Sequence, residues 1–295
     1  MKEYMIISDG SCDLSDDAVE KLGVRVVPFY IAFENETYLK EKKEVNVQEF
    51  YQKLIEHPNI FPKTSMPTAQ DYMEEFLKAY QEGYDVLCIT ISKKFSGSLN
   101  SALMARDMFL DEYPDARVEV VDSTVNSCTQ GLLVREVARM KENGLNLDET
   151  LAKIEEIKGT GRSYFTINGL SYLQHGGRIG KLTAIVGNIF KVTPLIVQKD
   201  GEIQSGGLAL SRKRAIMKIF DKFKDTLHKH NLNIDHYQIV VGYGQSLEEG
   251  KDLATKFESI FGKKIVLFEQ IGATIAVHTG PYPLGIAFIK KYDVE

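Results

Sequence analysis

Residues 85–110, DVLCITISKKFSGSLNSALMARDMFL, constrain the fold more than any other stretch of the chain. Val86–Ile91 is a short, apolar, β-prone run of the kind buried inside a sheet. Leu99, Ala102, Leu103 and Leu110 then fall near one face at helical spacing, which predicts a helix. Between the two lies the polar turn Ser92-Lys93-Lys94-Phe95-Ser96-Gly97-Ser98. A buried strand, a Ser/Gly turn and a helix start make an anion site, because the first N–H groups of a helix have no intrahelical partners and its dipole favours negative charge. Gly97 lets a ligand approach the backbone closely, and Ser96 and Ser98 can donate hydroxyl hydrogen bonds. The turn also reads as an ordinary Ser-capped strand–helix connection. It lacks the Gly and Lys spacing of a P-loop or a dinucleotide fingerprint.

The flanking sequence repeats the strand–helix alternation. Tyr4–Ser8 predicts a strand ending in the polar turn Asp9-Gly10-Ser11, and Asp16–Leu22 a helix. Val24–Ala32 is strand-like but interrupted by Pro28, which suits a sheet edge. Phe33–Lys43 looks like a surface hairpin, Asn46–Glu56 a helix, and Pro62–Pro67 a stiff extended loop. Thr68 and Asp71 form a capping-box signature for a helix over Ala69–Gln81. Val118–Val121 predicts a strand, Gln130–Met140 an amphipathic helix, and Asp148–Lys158 another helix. This pattern implies a parallel βα sheet in an N-terminal α/β domain, residues 1–160. Ligands of such sheets bind outside the carboxyl ends of the strands, which singles out Asp9–Ser11, Ser92–Ser98 and Asp122–Ser123.

Residues 161–295 read as a second, α+β domain. Strands are predicted over Ser163–Ile167, Tyr237–Val241, Ile265–Phe268 and Gly285–Ile289, and helices over Leu182–Phe190, Arg212–His228 and Leu247–Phe261. Lys199-Asp200-Gly201-Glu202 is a hairpin turn signal between two apolar runs. His175–Gly180 is a Gly-rich loop carrying Arg178, a side chain suited to recognising phosphate or carboxylate.

The 295 residues carry 43% hydrophobic and 26% charged side chains and a net charge of −5, which argues against a nucleic-acid binder. No apolar run reaches membrane-spanning length, and the start lacks a signal-peptide layout. Cys12, Cys88 and Cys128 are widely spaced and suit reduced thiols in a cytoplasmic protein. The histidines form no metal-ligand pattern. Thr64, Ser65, Ser96 and His278 could converge on one acid, with His278 able to carry charge near neutral pH. Ser96 and His278 also admit a Ser/His lipid esterase, with Asp9 or Asp122 as third partner, although the G-x-S-x-G elbow is missing. A plain protein-interaction module is a further reading.

Five separated segments together resemble the DegV family of bacterial fatty-acid-binding proteins: Ile7–Leu14, Thr64–Thr68, Phe95–Ala102, Gly176–Ile179 and His278–Pro281. The resemblance covers essentially the whole chain. It implies a two-domain DegV-like α/β fold with a long-chain fatty acid buried between the domains. It implies carboxylate contacts from Thr64, Ser96 and His278, with Ser65 and the Gly97 backbone beside them, and Arg178 near the head group facing a kinase. Members of this family hand the acyl carboxylate to a separate fatty-acid kinase, and the acyl phosphate feeds phospholipid synthesis. On this reading the chain is a non-catalytic carrier with no cofactor beyond its fatty acid, no metal, and at most transient membrane contact. The chain departs from the family pattern at Gly10, Met66, Ser98 and Tyr282, and a bulky ring at Tyr282 is expected to narrow the head-group site.

Overall fold

The computed structural model describes residues 3–33, 37–182, 192–265 and 267–294. In chain order the first half runs β1 (Tyr4–Asp9), α1 (Asp16–Leu22), β2 (Val24–Val27), β3 (Tyr30–Ala32), β4 (Leu39–Lys40) and α2 (Val47–Glu56). It continues through β5 (Lys63–Ser65), α3 (Ala69–Gln81), β6 (Asp85–Thr90), α4 (Ser98–Glu112), β7 (Val118–Asp122), α5 (Ser127–Glu142) and α6 (Leu147–Ile157). The second half contains β8 (Arg162–Thr166), α7 (Ser171–His175), β9 (Thr193–Lys199), β10 (Glu202–Ala209) and α8 (Arg212–Lys229). It ends with β11 (Tyr237–Tyr243), α9 (Leu247–Phe261), β12 (Leu267–Gln270), α10 (Ala273–Thr279) and β13 (Leu284–Lys290). The helix expected over Leu182–Phe190 falls almost wholly outside the described residues, as does part of the Phe33–Lys43 hairpin.

Three sheets organise these elements. The first is parallel, in the order β2-β1-β6-β7. Its central strand β6 is buried along its whole length, as its unbroken apolar run requires. The second has the order β10-β9-β8-β13-β11-β12 and is antiparallel except where β11 meets β12. A small third sheet, β4-β3-β5, grows from the chain after Pro28. Pro28 therefore parts two strands of different sheets, and β2 takes the edge that the sequence suggested. The Pro62–Pro67 segment is a strand at its centre, since β5 pairs with β3.

The layers follow from which faces are apolar. Tyr72, Phe76, Ala102, Ala105 and Phe109 of α3 and α4 cover one face of the first sheet. The buried stripe of α4 uses Ala105 and Phe109, while Leu103 and Leu110 are only half-buried. Ile219, Phe220 and Phe223 of α8 and Leu253 and Phe257 of α9 cover the outer face of the second sheet. Between the sheets lies α5. Leu132, Leu133, Val134, Val137 and Met140 meet Ile6, Leu87 and Ile89 of the first sheet and Val240, Ala287 and Ile289 of the second, in one core. Periodicity suggested a one-sided amphipathic helix; instead α5 is apolar or hydrogen-bonded nearly all round, because both its faces are roofed by sheets. Its buried Glu136 is held by Arg139, by Gln238 and by the Tyr292 N–H at 2.9 Å. The Asp200-Gly201 turn forms as read, with φ of 54° and 78° at its two central residues.

Candidate functional site

The turn after β6 is fixed by the buried carboxylate at the end of β1. Asp9 Oδ1 accepts hydrogen bonds from Ser11 Oγ at 2.6 Å and Gln130 Nε2 at 2.9 Å. Its Oδ2 accepts from the Ile91 N–H at 2.9 Å and Ser98 Oγ at 2.7 Å. Burial pushes this carboxyl above the usual carboxylate range, and the four donors pull against it. Asp9 thus ties β1, the end of β6, the start of α4 and α5 into one unit. Ser98 is spent on that frame, since its hydroxyl also meets the Tyr72 hydroxyl at 2.6 Å. Ser96 Oγ accepts the Ser98 N–H at 3.2 Å, so it caps α4 while keeping its own hydrogen to donate. Met66 Sδ lies 2.7 Å from where a Cβ on Gly97 would stand, so this flexible side chain covers the bare backbone there.

Two further segments close on this turn. On β5, Thr64 pairs with Ile31 and so faces the same way, towards α10. Its Oγ1 lies 3.1 Å from His278 Nε2. Ser65, the next residue of the strand, is exposed but borders the same cavity. The Gly-rich loop arrives from the second half of the chain. Arg178 donates from Nε to the Phe95 carbonyl at 3.1 Å and from Nη1 to the Gly176 carbonyl at 2.7 Å. Gly176 is pressed against the His278 ring, leaving no room for a side chain. Thr64, Ser96, Gly97, Arg178 and His278, which span 215 positions of sequence, thereby surround one place, with Ser65 at its border.

Burial, and next the charge of Arg178, hold the His278 imidazole down at about 4. The ring is therefore neutral at pH 7 in this state, and its capacity to carry charge near neutrality would need an anion beside it. Its Nδ1 is buried without a hydrogen-bond partner among the described residues. Among the described residues no carboxylate orients the ring, and its Nε2 faces Thr64. Asp9 is occupied elsewhere, and Asp122 Oδ1 accepts the Thr124 N–H at 2.9 Å. The Ser–His–acid relay of a hydrolase is not assembled among these groups.

This polar cluster opens on a cavity of about 310 Å³ lined by the turn beyond β6, the start of α5, α10 and the second sheet. One face of α10, Thr274, Ile275 and His278, forms a wall about 6 Å long at 1.5 Å per residue, and Ile271, two residues before the helix, continues the lining. The opposite walls come from Ile91 and Phe95 of the first half and Phe165, Gly242, Gly285 and Ala287 of the second sheet, with Cys128 and Thr129 at the start of α5. Gly242 and Gly285 are register partners on β11 and β13, so the sheet is bare where they meet. Tyr282 is not among the residues that line the cavity. The three cysteines are free and buried, and burial pushes the Cys12 thiol up to about 12, which suits packing and not nucleophilic attack. Among the described residues no cluster of His, Cys, Asp or Glu could hold a metal ion. No described helix is long and apolar enough to cross a membrane.

Sequence reading missed α10. The helix has seven residues, bracketed by Gly272 and Gly280, and its signal was the spacing Ile271, Ile275, His278. The lining glycines Gly242 and Gly285 had no local signal, since a strand glycine acquires meaning only from what stands across from it.

Comparison with known proteins now bears on this geometry. The family described as "Uncharacterised protein, DegV family" matches residues 3–291. A DegV domain-containing protein of Clostridium perfringens is 31% identical over 291 residues, covering 98% of each chain. The solved structure of a stearic acid-binding protein from Eubacterium ventriosum superposes with a TM-score of 0.94 at 39% identity, covering 98% of this chain and 99% of that one. A DegV family protein from Thermus thermophilus, described for its fatty acid binding, gives a TM-score of 0.86 at 29% identity, covering 98% and 100%.

Proposed function

Because this chain belongs to the DegV family, we propose that it binds one long-chain fatty acid in the cavity between its sheets and presents the carboxylate to a fatty-acid kinase. The observation that carries the reading is a mostly apolar cavity whose lining includes Thr64, Ser96 and His278, two of them in contact with each other. Each methylene buried contributes about 0.8 kcal/mol, so a sixteen-carbon chain offers on the order of 10 kcal/mol before ordering costs. A carboxylate buried with it needs donors. Ser96 offers a hydroxyl that accepts from the Ser98 N–H and can still donate, Thr64 a hydroxyl, Gly97 a backbone at the helix start, and His278 a neutral ring that an incoming anion would draw back towards protonation. Ser65 contributes a rim hydroxyl. The stearic acid-binding description of the Eubacterium ventriosum protein supports the ligand class.

Arg178 is exposed and bonds the Phe95 carbonyl beside Ser96, which supports a role for it in meeting a kinase or a phosphorylated head group. The acyl phosphate made there would feed phospholipid synthesis. The protein itself acts as a carrier in the cytoplasm, with residues 1–160 and 161–295 as its two domains. Native mass spectrometry of the purified protein tests the binding: a co-purified fatty acid, lost in Ser96→Ala/His278→Ala, is the expected result. A protein that is always ligand-free and takes up no added fatty acid overturns it.

A further inference from the structure

Two buried carboxyl groups hold the start of α10. Asp13, in the turn after β1, accepts from the Gly272 N–H at 3.0 Å through Oδ1 and from the Ser127 hydroxyl at 2.5 Å through Oδ2. Glu41, just beyond β4, accepts from the Thr274 N–H at 3.1 Å and from the Thr274 hydroxyl at 2.5 Å. All four donors are neutral, and the two acidic residues are only 3% and 2% exposed. A Cβ on Gly272 would lie 2.6 Å from Glu41 Oε1 and 2.8 Å from Asp13 Oδ1, so a bare backbone separates the two carboxyls. Two negative charges this close and out of water oppose each other, which favours retaining one proton on the pair.

The surrounding groups do not cancel that repulsion. Lys42, whose charge both carboxyls feel, commits its Nζ to Asp16 at 2.9 Å and to the Leu14 carbonyl at 2.6 Å. Glu269 is held by Arg135. The other titratable neighbours, Cys12, Cys128, Tyr51 and Tyr243, are raised by burial and stay neutral. Burial likewise raises Asp13 and Glu41, and the Glu41 charge adds to the rise at Asp13.

What the pair holds is a wall of the acid cavity. Thr274, Ile275 and His278 line it, and so does Ser127, which bonds Asp13. Asp13 and Gly272 also border a second cavity of about 280 Å³, with Lys42 and Gln270, which gives the pair a polar route for proton exchange.

We propose that Asp13 and Glu41 are positioning residues for the fatty-acid site, holding α10, and through it His278, only while the pair keeps one proton. The inference rests on the proposed fatty-acid binding and adds its regulation by pH. When that proton is lost to water, two buried anions face each other across Gly272. The first turn of α10 moves off them, and Ile275 and His278 shift with it. Affinity therefore falls as pH rises, because the proton belongs to the binding-competent state.

The test is displacement of a fluorescent fatty acid from the whole protein across the pH range, with thermal unfolding at each pH to separate loss of fold. Wild-type affinity is expected to fall about tenfold between about pH 7 and about pH 9. In Asp13→Asn that ratio should drop to about one, whatever the variant's absolute affinity; Asn suits the left-handed backbone there, φ 51°, and has no proton to lose. Glu41→Gln should flatten the profile in the same way and serves if Asp13→Asn fails to fold. A wild-type affinity that is level over this range overturns the inference and leaves fatty-acid binding intact. An equal fall in the variants assigns the effect to the ligand or to His278 and also overturns it. No binding of any fatty acid at any pH overturns the reading beneath it, and this inference with it.

Discussion

Replacing Gly176 by Ala acts first on the position of His278, the nearest group to the added carbon, with the Tyr172 carbonyl next at 3.1 Å. A Cβ on Gly176 would stand 2.1 Å from His278 Nδ1 and 2.8 Å from Cε1. Ordinary contact requires the ring to retreat by at least about 1 Å, since real Cβ contacts closer than 3.0 Å are essentially never seen. The backbone is not strained by the change, because Gly176 has φ of −73° and ψ of −5°. The ring would leave its 3.1 Å contact with Thr64 Oγ1 and no longer aim Nε2 at a carboxylate. A hydrogen bond to a charged group is worth about 1.5–3 kcal/mol, so fatty-acid affinity should fall roughly 10- to 100-fold. The assay is displacement of a fluorescent fatty acid, with thermal unfolding in parallel. Gly177→Ala is the control: its Cβ meets nothing within 4 Å, and its φ of +67° makes the change cost stability and not ring position. Unchanged affinity in Gly176→Ala, with the ring shown to have moved, would refute the assigned role of His278.

Three other outcomes are expected. In Gly242→Val the new side chain meets Cys128 Sγ, 2.9 Å from the Cβ position, and obstructs the cavity beyond Ile271; binding of long acids should drop by more than tenfold while short acids are retained, measured across a chain-length series. Burial, with Glu41 nearby, raises the Asp13 carboxyl from 3.8 to about 8. A group raised on folding stabilises fully below its unfolded value and loses that contribution as pH rises through its folded value, at up to about 1.4 kcal/mol per pH unit. Asp13→Asn should therefore flatten the decline in stability between about pH 4 and pH 8, read as unfolding midpoints in denaturant, and an unaltered slope would show that Asp13 does not titrate there. In Arg178→Ala, fatty-acid affinity should stay within a few-fold, because the lost bonds are solvent-exposed, while phosphorylation by a fatty-acid kinase slows by at least tenfold; equal loss of both would remove Arg178 from the kinase-facing role.

The local chemistry of the sequence settled the elements whose signals are short in range. The capping box at Thr68 and Asp71 forms, with Asp71 Oδ2 accepting the Thr68 N–H at 2.8 Å. The Asp-Gly turn, the buried strand β6 and the helix behind Ser98 follow from backbone preference and apolar spacing, which act within a few residues. Motif order also pointed to the family and named the polar groups. What those groups face was decided elsewhere. The partner of His278 is 214 positions away, at Thr64. Ser98, one of three neighbouring candidates, is taken by Asp9 at the end of another strand. His278 is neutral because of what buries it, and α5 is apolar on both sides because two sheets enclose it. Gly242 and Gly285, both in the lining of the hollow, come into register across β11 and β13 only in the folded sheet. A chain encodes each residue's own conformational and solvation preference one position at a time; burial, charge state and empty space are properties of pairs, and only the closed tertiary structure chooses the pairs.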